Sequence, residues 1–406
     1  MSQAPLPQLL APQAGVPDVV TDERRLAEAG RVLGAGLGPV AIDAERASGH
    51  RYGNRAYLVQ LRREGAGTWL IDPVACPDLS PIQDGLGDAE WVLHAATQDL
   101  PCLAEVGLRP ERLFDTELGG RLAGLARVGL GTMVEHYLAV SLAKEHSAAD
   151  WSRRPLPEPW LRYAALDVEM LVQLRDAVEA DLAAQDKLEW ARQEFDALLT
   201  FTGPPPRVDP WRRTSGIHRV RKRRGLAVVR ELWLARDRIA RRRDLGPGRV
   251  LPDATLVALA VAPPADAAAL AARPELKTAA RNPRVWLEAV QRAMALPEDR
   301  LPPLTVPGTG PPPPRLWAER DPAAAARLTA ARAGLTAVAD ARAVPVENLL
   351  APESVRRLAW APPAQPSAAA VAQALRDLGA RAWQVDLATP ILLEALTAPA
   401  DPATTS

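Results

Sequence analysis

The sequence predicts an α/β domain with a mixed central sheet, followed by two all-α domains. Short apolar runs rich in β-branched residues lie between residues 39 and 95 and have the length of strands. A helical pattern continues to about residue 200, and two proline-rich stretches divide the rest of the 406-residue chain. The predicted units are a disordered N-terminus (1–20), an α/β domain (21–203), a first helical domain (212–296), a proline-rich linker (297–315), a second helical domain (316–397) and a disordered tail (398–406).

The elements of the α/β domain follow from local signals. A helix is predicted over residues 22–33, with Thr21 as its N-cap and Gly34 just beyond its end. The strands that follow are predicted at 39–45, 55–63, 67–72 and 91–95. The second and third of these form a hairpin around residues 64–67. Because these strands are followed by helices, the sheet is expected to be mixed rather than purely parallel.

Charge is unevenly distributed along a chain whose formal net charge is zero. Residues 207–243 contain fourteen Lys and Arg against three Asp and Glu, a local net charge of +11. Such a run indicates a contact surface for a polyanion, although an arginine-rich solvated helix would give the same pattern. The candidate nucleic-acid-binding residues in this run are Arg219, Arg221, Lys222, Arg223 and Arg224.

The sequence favours a cytoplasmic protein without a membrane anchor. No run approaches the roughly 18 apolar residues of a membrane span, and the N-terminus lacks the features of a signal peptide. The two cysteines have no metal-binding spacing, and no obligate protein partner is evident.

Three acidic groups are the candidates for chemistry. Asp43 and Glu45 are two residues apart at a predicted strand end, so both point to one face. Asp99 opens a helix after a later strand. Tyr163 and Asp167 are four residues apart on a helix, one turn from each other. Each group alone has a structural explanation as a solvated strand end, a helix-capping acid or an amphipathic helix.

Taken together, their order resembles the DEDD superfamily of 3′–5′ exonucleases in its tyrosine-bearing form, and most closely the ribonuclease D family. The resemblance covers about residues 24–200. Residues 212–296 are similar to an HRDC domain, a helical nucleic-acid-binding module, and residues 316–397 resemble a second, more divergent copy. The supporting segments are VAIDAE, YLVQL, LIDP, LHAATQDL, FDTELGGRLAG and ADWSRRPLPEPWLRYAALDV.

The resemblance implies a ribonuclease H-like exonuclease fold and a metal-dependent mechanism. Asp43, Glu45, Asp99 and Asp167 would hold two Mg²⁺ or Mn²⁺ ions, and Tyr163 would position the attacking water. The implied activity is 3′–5′ exoribonucleolytic release of 5′-mononucleotides from structured RNA, such as the 3′ ends of tRNA precursors.

The sequence departs from the family pattern at one position and leaves two other functions open. Arg46 follows the first acidic pair where many members have an aromatic or apolar residue. It would contact the substrate backbone or lie at the surface. The alternatives for the whole chain are a 3′–5′ exodeoxyribonuclease on the same fold and a non-catalytic RNA-binding protein.

Overall fold

The central sheet of the first domain has six strands, and a separate two-stranded sheet lies beside it. The computed structural model describes residues 6–143, 149–306, 308 and 310–398. The strands are β1 (Gln8–Leu9), β2 (Val19–Val20), β3 (Leu37–Arg46), β4 (Ala56–Glu64), β5 (Gly67–Ile71), β6 (Glu90–Leu93), β7 (Arg112–Asp115) and β8 (Ser141–Leu142).

The six-stranded sheet is mixed, as predicted. Its order is β2-β5-β4-β3-β6-β7, in which β4 runs antiparallel to both of its neighbours, β3 and β5, and the remaining pairs are parallel. The predicted hairpin between β4 and β5 is confirmed. β3 is therefore the central strand that joins the antiparallel half to the parallel half, and it carries the first acidic pair.

Helices cover both faces of this sheet. Buried side chains of α1, α2 and α3 form one core with alternate residues of β3, including Val40 and Ile42. Ala41 faces the opposite side, where α4, α7 and α8 form a second core. The helices of this domain are α1 (Glu23–Gly34), α2 (Ser80–Leu86), α3 (Leu100–Glu105), α4 (Thr116–Leu122), α5 (Leu130–Leu138), α6 (Glu158–Glu169), α7 (Leu171–Ala184) and α8 (Leu188–Leu198).

The N-terminal expectations need correction. Residues 6–20 were predicted to be disordered, but β1 pairs with β8 and β2 extends the central sheet beside β5. These two-residue strands depend on distant partners, so the local sequence does not signal them. Helix α1 begins at Glu23, and Asp22 rather than Thr21 is its N-cap, because its side chain accepts a hydrogen bond from the backbone N–H of Arg25. Residues 1–5, and the predicted tail beyond Ala398, lie outside the described residues.

Strand β7 lies in the stretch after residue 95 where the sequence predicted helices separated by turns, and no strand. It is only four residues long, Arg112–Asp115, and is followed directly by α4. Its strand conformation comes from parallel pairing with β6 and burial of Leu113 and Phe114. A strand this short is defined by its tertiary partners rather than by its own periodicity.

Helix α6 lies across β3, β4 and β5, and a buried ion pair fixes the segment that leads into it. Ala164 and Ala165 of α6 pack against Leu58 and Leu70 of the sheet. Just before the helix, Arg154 forms a bidentate pair with the buried carboxylate of Asp72, at 2.6 and 2.7 Å. This pair holds the entry to α6 at the end of β5.

The second half of the chain forms two helical domains with a similar order of elements. Each contains a long helix of 20 or 21 residues that is followed by a helix of four residues and one of nine. The helices are α9 (Arg223–Arg243), α10 (Pro247–Val250), α11 (Asp253–Val261), α12 (Ala267–Ala271), α13 (Lys277–Ala280), α14 (Pro283–Met294), α15 (Trp317–Arg320), α16 (Pro322–Ala341), α17 (Val346–Leu349), α18 (Pro352–Trp360), α19 (Ala368–Asp377) and α20 (Ala382–Thr397).

The first helical domain docks on the loop that follows β3. The backbone N–H of Gly246 donates to the carbonyl of His50 at 2.9 Å. The Tyr52 hydroxyl donates to Asp237 of α9 at 2.9 Å, and the Tyr52 N–H donates to Asp244 at 3.2 Å. The contact therefore joins the end of α9 to the residues that follow β3, the strand that carries Asp43 and Glu45.

The second helical domain shares a hydrophobic core with α4, α5, α7 and α8. Trp383 stacks on Trp190 of α8 with ring centroids 4.9 Å apart, and its indole N–H donates to Glu194. Buried Lys187 donates to the carbonyls of Leu122 and Ala343, which lie in the two domains. These contacts attach the second helical domain to the face of the α/β domain that carries α8.

The predicted linker is held by neighbouring arginines over its described residues. Arg212 donates to the carbonyl of Pro303 at 3.0 Å, and Arg356 donates to the carbonyl of Pro311 at 3.1 Å. No helix in the described part of the chain is both long and apolar enough to cross a membrane.

Gly246 provides a test of the docking of the first helical domain. A Cβ atom at this position would lie 2.2 Å from the carbonyl oxygen of Gly49, whereas the backbone angles of Gly246 suit any residue. We expect Gly246→Ala to lower the free energy of unfolding by about 1–3 kcal/mol, because the contact must open. Gly248→Ala is the matched control, since nothing lies within 4 Å of its Cβ. Equal thermal unfolding of the two variants would contradict the contact.

Candidate metal centre

Strand β3 and helix α6 bring three carboxylates together. Asp43 and Glu45 lie on the face of β3 that α6 covers, opposite Gln60 and Leu58 of β4 in the strand register. Asp167 lies on α6. One carboxylate oxygen from each of Asp43, Glu45 and Asp167 lies within 4.8 Å of the other two. The structure thus assembles three of the predicted acids from two elements that are more than 100 residues apart in sequence.

Tyr163 lies one turn before Asp167 on α6, as predicted, so the two side chains are neighbours on one side of the helix. Its ring packs beside buried Trp151, with centroids 6.5 Å apart. Burial raises the pKa of the phenol, and the neighbouring Asp167, Glu45 and Asp43 raise it further. The hydroxyl therefore stays protonated near neutral pH and serves as a hydrogen-bond donor at the edge of the site.

The fourth acid, Asp99, lies beside this group but is paired differently. It follows a 3₁₀ turn over Ala96–Gln98 and precedes α3, and it is buried. One carboxylate oxygen of Asp99 lies 3.4 Å from the guanidinium of Arg46, which also donates to the backbone carbonyl of Gln98. Asp99 is therefore held by an ion pair rather than included in the three-carboxylate group.

Asp115 supports the turn that positions Asp99. Its buried carboxylate accepts hydrogen bonds from the backbone N–H groups of Ala95 and Ala96, at 3.1 and 2.8 Å, and from Glu117 and Leu118 of α4. Ala95 adopts a left-handed conformation with φ of 63°, which is strained for a residue with a Cβ. The carboxylate stabilises this conformation. This role was missed in the sequence analysis, where its signal was an Asp at a helix N-cap position directly after a short apolar run.

Gln60 is a second residue that the sequence analysis missed. It is fully buried on β4 directly opposite Asp43, and its side-chain oxygen and nitrogen have no partner among the described residues. The only signal was one amide within the otherwise apolar run YLVQL. The Gln60 amide therefore lies beside Asp43 on the same face of the sheet, next to the three carboxylates.

The carboxylates strongly influence one another's ionisation. The pKa of Glu45 is raised to about 10. Burial is the largest cause, and the neighbouring Asp43, Asp167 and Asp99 also contribute. Burial also raises the pKa values of Asp43, Asp99 and Asp167 above their usual range. Arg46 opposes the shift at Asp43, Glu45 and Asp99 but does not cancel it. Without added positive charge, this group of acids retains protons at neutral pH.

These residues fit a hard divalent cation. Oxygen-only ligands are those preferred by Mg²⁺ and Mn²⁺, and the three carboxylates already converge within 4.8 Å. Arg46, which is ion-paired to Asp99, is the only cationic side chain that lowers their pKa values. A bound cation would replace protons that burial forces onto the carboxylates. Asp43, Glu45 and Asp167 would be its ligands, and Asp99 would need to leave Arg46 to join them.

The structure separates the predicted nucleic-acid-binding residues into two groups. Arg219, Arg221 and Lys222 are exposed. Arg223 and Arg224 instead donate to backbone carbonyls between residues 293 and 302, including Leu301 and Leu296. Their guanidinium groups fasten the end of the first helical domain. Arg223 remains exposed while it makes these contacts, and the assignment of all five residues to nucleic-acid binding stays a prediction.

Comparisons with known proteins agree with this geometry. The sequence matches three family profiles: 3′-5′ exonuclease over residues 17–183, HRDC domain over 225–284, and 3′ to 5′ exonuclease C-terminal domain over 310–396. The ribonuclease D of Pseudomonas paraeruginosa is 32% identical over 271 residues, which cover 65% of this chain and 71% of that protein. The prediction that residues 316–397 form a second HRDC-like domain stays a prediction.

Two crystal structures are similar over nearly the whole chain. A protein from Bifidobacterium adolescentis is 37% identical with a TM-score of 0.89, covering 97% of this chain and 100% of that one. Escherichia coli RNase D, described as an exoribonuclease involved in structured RNA processing, is 26% identical with a TM-score of 0.68. It covers 93% of this chain, and this chain covers 98% of it.

The ribonuclease H-like fold and the matched exonuclease profile define a 3′–5′ exonuclease, and the converging carboxylates agree with the metal dependence of that domain family. The predicted fold class and enzymatic class are thereby confirmed. The chain belongs to the ribonuclease D family, and its activity is that of a 3′–5′ exoribonuclease.

The raised pKa values predict how pH and metal affect stability. The folded metal-free protein holds protons on Glu45 up to a pKa of about 10, against an ordinary value of 4.5. Its free energy of unfolding should therefore fall as pH rises through this range, since the unfolded chain ionises first. Mg²⁺ or Mn²⁺ should raise the Tm more at about pH 8 than at about pH 5, as followed by calorimetry.

Two variants control for this measurement. Asp43→Asn should raise the Tm of the metal-free protein and remove the increase caused by metal. Glu158→Gln, at an exposed position of the same helix as Asp167, should retain that increase. A metal-induced Tm increase that is the same in Asp43→Asn would contradict the site.

Arg46 is expected to compete with a cation at Asp99. Arg46→Gln removes one positive charge and frees the Asp99 carboxylate, so Mn²⁺ binding should tighten by about tenfold, as measured by titration calorimetry at constant pH. Arg162→Gln, on the exposed side of α6, is the matched control and should leave the affinity unchanged. Weaker binding in Arg46→Gln would show that Arg46 helps to build the site instead.

Proposed function

We propose that the protein trims the 3′ ends of structured RNA, such as tRNA precursors, one nucleotide at a time with two divalent metal ions. The observation that carries this proposal is the convergence of Asp43, Glu45 and Asp167 within 4.8 Å, with Tyr163 one turn before Asp167 on α6. The similarity to Escherichia coli RNase D, described as processing structured RNA, supports this substrate class. A cytoplasmic location is part of the same proposal.

The chemical step is hydrolysis of the last phosphodiester bond. Bound Mg²⁺ or Mn²⁺ would lower the pKa of water and stabilise negative charge on the leaving oxygen. Water adds its oxygen to phosphorus as the bond to the 3′ oxygen of the preceding nucleotide breaks. The shortened RNA retains a 3′ hydroxyl, and the released nucleotide carries a 5′ phosphate.

Tyr163 acts by position rather than as a base. Its raised pKa keeps the hydroxyl protonated, and its position one turn before Asp167 on α6 places the phenol beside the carboxylates. The tyrosine can then orient a water or a phosphate oxygen next to the carboxylates. Trp151 supports this orientation because its fully buried ring packs beside Tyr163.

The test is digestion of a tRNA with a 3′ extension in Mg²⁺ or Mn²⁺, compared with a DNA of the same sequence. We expect stepwise release of 5′-mononucleotides from RNA, read by gel electrophoresis and mass spectrometry of the products. Asp167→Asn should lower kcat by at least about a hundredfold, because a ligand is lost, while RNA binding survives.

Glu158→Gln serves as the control for this test and should retain full activity. Preferred digestion of DNA would favour an exodeoxyribonuclease, and RNA binding without digestion in either metal would favour a non-catalytic protein. Endonucleolytic fragments would also overturn the proposal.

A further inference from the structure

A cleft lined by arginines lies in the first helical domain, apart from the acidic centre. Its volume is about 560 Å³, and it opens between the C-terminal half of α9, helix α10 and the start of α14. No acidic residue lines it among the described residues. Five exposed arginines do: Arg238, Arg242, Arg243, Arg249 and Arg281.

The two acids next to these arginines in the sequence, Asp237 and Asp244, make their ion pairs with Arg241 and Arg51 rather than with the arginines of the cleft. Asp237 accepts a hydrogen bond from the Tyr52 hydroxyl, and Asp244 accepts one from the Tyr52 N–H. In the described part of the chain, no ion pair or hydrogen bond engages the side chains of Arg238, Arg242 or Arg281. Docking of the two domains therefore leaves α9 with an unbalanced positive face toward the cleft.

The cleft borders the loop that leads away from the acidic strand. Arg249, at its rim, contacts the imidazole of His50. His50 is five residues beyond Glu45, so a fully extended chain would separate them by no more than about 18 Å. A strand of RNA with its 3′ end at the carboxylates is long enough to reach this rim within a few nucleotides.

The lining of the cleft suits phosphate rather than bases. Arginine presents a planar fork of N–H donors that matches two phosphate oxygens. Trp286 is the only aromatic residue in the lining, and it is 2% exposed, so it presents no face for base stacking. The contact would therefore be independent of sequence, as is typical of backbone recognition.

We propose that this five-arginine cleft binds backbone phosphates of the RNA on the 5′ side of the bond to be hydrolysed. The proposal rests on the function proposed above and assigns a second contact to the same substrate. It places the contact on α9, α10 and α14, away from Arg219, Arg221 and Lys222. An acidic protein segment is the competing occupant.

The test compares two triple variants. Arg238→Gln/Arg242→Gln/Arg281→Gln removes arginines from the cleft and leaves Arg249 in its contact with His50. Arg320→Gln/Arg332→Gln/Arg376→Gln, the matched control, removes three exposed arginines of the second helical domain that have no partner among the described residues. Equal Tm values would show that both variants are folded.

Binding is measured first, in EDTA, with a hairpin RNA carrying a single-stranded 3′ tail of about 20 nucleotides. We expect the cleft variant to bind at least about tenfold more weakly at about 0.1 M salt. The slope of log affinity against log salt should fall by about 2 to 3, roughly one for each lost phosphate contact. The control variant should match the wild type in both respects.

Hydrolysis then separates this proposal from the proposed function. With Mn²⁺, the cleft variant should digest a tetranucleotide at the wild-type rate and the long substrate with a lower kcat/KM. Digestion of neither substrate by the wild type would refute the function itself. Wild-type behaviour of the cleft variant on long RNA, or equal losses in the control variant, would overturn the cleft assignment and leave the activity intact. RNA binding that is unchanged in the cleft variant would point to the acidic protein instead.

Discussion

The packing of α6 across β3, β4 and β5 is the constraint on which the site depends. The small side chains of Ala164 and Ala165 let the helix approach Leu58 and Leu70 closely. This approach brings Asp167 within 4.8 Å of Asp43 and Glu45, although three neighbouring carboxylates repel one another. The hydrophobic contact therefore stabilises an arrangement that the acids alone would open, and protons or a cation must relieve the repulsion.

The docking of the first helical domain engages two acids near the C-terminal end of α9, and one of them, Asp237, also pairs with Arg241 of the same helix at 3.6 Å. Asp237 and Asp244 are engaged by Tyr52, which lies in the loop between β3 and β4. The Tyr52 contacts thus hold the first helical domain against the loop that follows β3. Arginines remain unpaired on the other side of α9. A formal net charge of zero conceals this separation of charge.

The sequence predicted the parts that local patterns determine. The four strands around the first acidic pair and the helix with Tyr163 and Asp167 were found because alternation and helical spacing are continuous there. β7 and the N-terminal strands were missed because their conformation depends on partners far away in the chain. The position of Asp99 was predicted, but its pairing with Arg46 was not, since side-chain contacts between β3 and a distant turn leave no periodic signal. The sequence placed Arg223 and Arg224 in one group with the other basic residues, because a basic run does not reveal which side chains also donate to backbone carbonyls.

The carboxylates of β3 and α6 and the arginine cleft of the first helical domain have opposite charges toward RNA. The binding of RNA is therefore coupled to the binding of metal. Without a cation, Asp43, Glu45 and Asp167 retain protons and offer a phosphodiester no positive charge, any carboxylate that ionises repels it, and Arg46 supplies only one compensating charge, already paired with Asp99. A cation at the carboxylates must therefore tighten RNA binding, and by thermodynamic reciprocity RNA must tighten cation binding by the same factor. Arginines in the cleft attract RNA whether or not a cation is present. These arginines hold the RNA strand. The charge of the three carboxylates makes RNA bind more tightly to the metal-loaded state, which is the state that hydrolyses it.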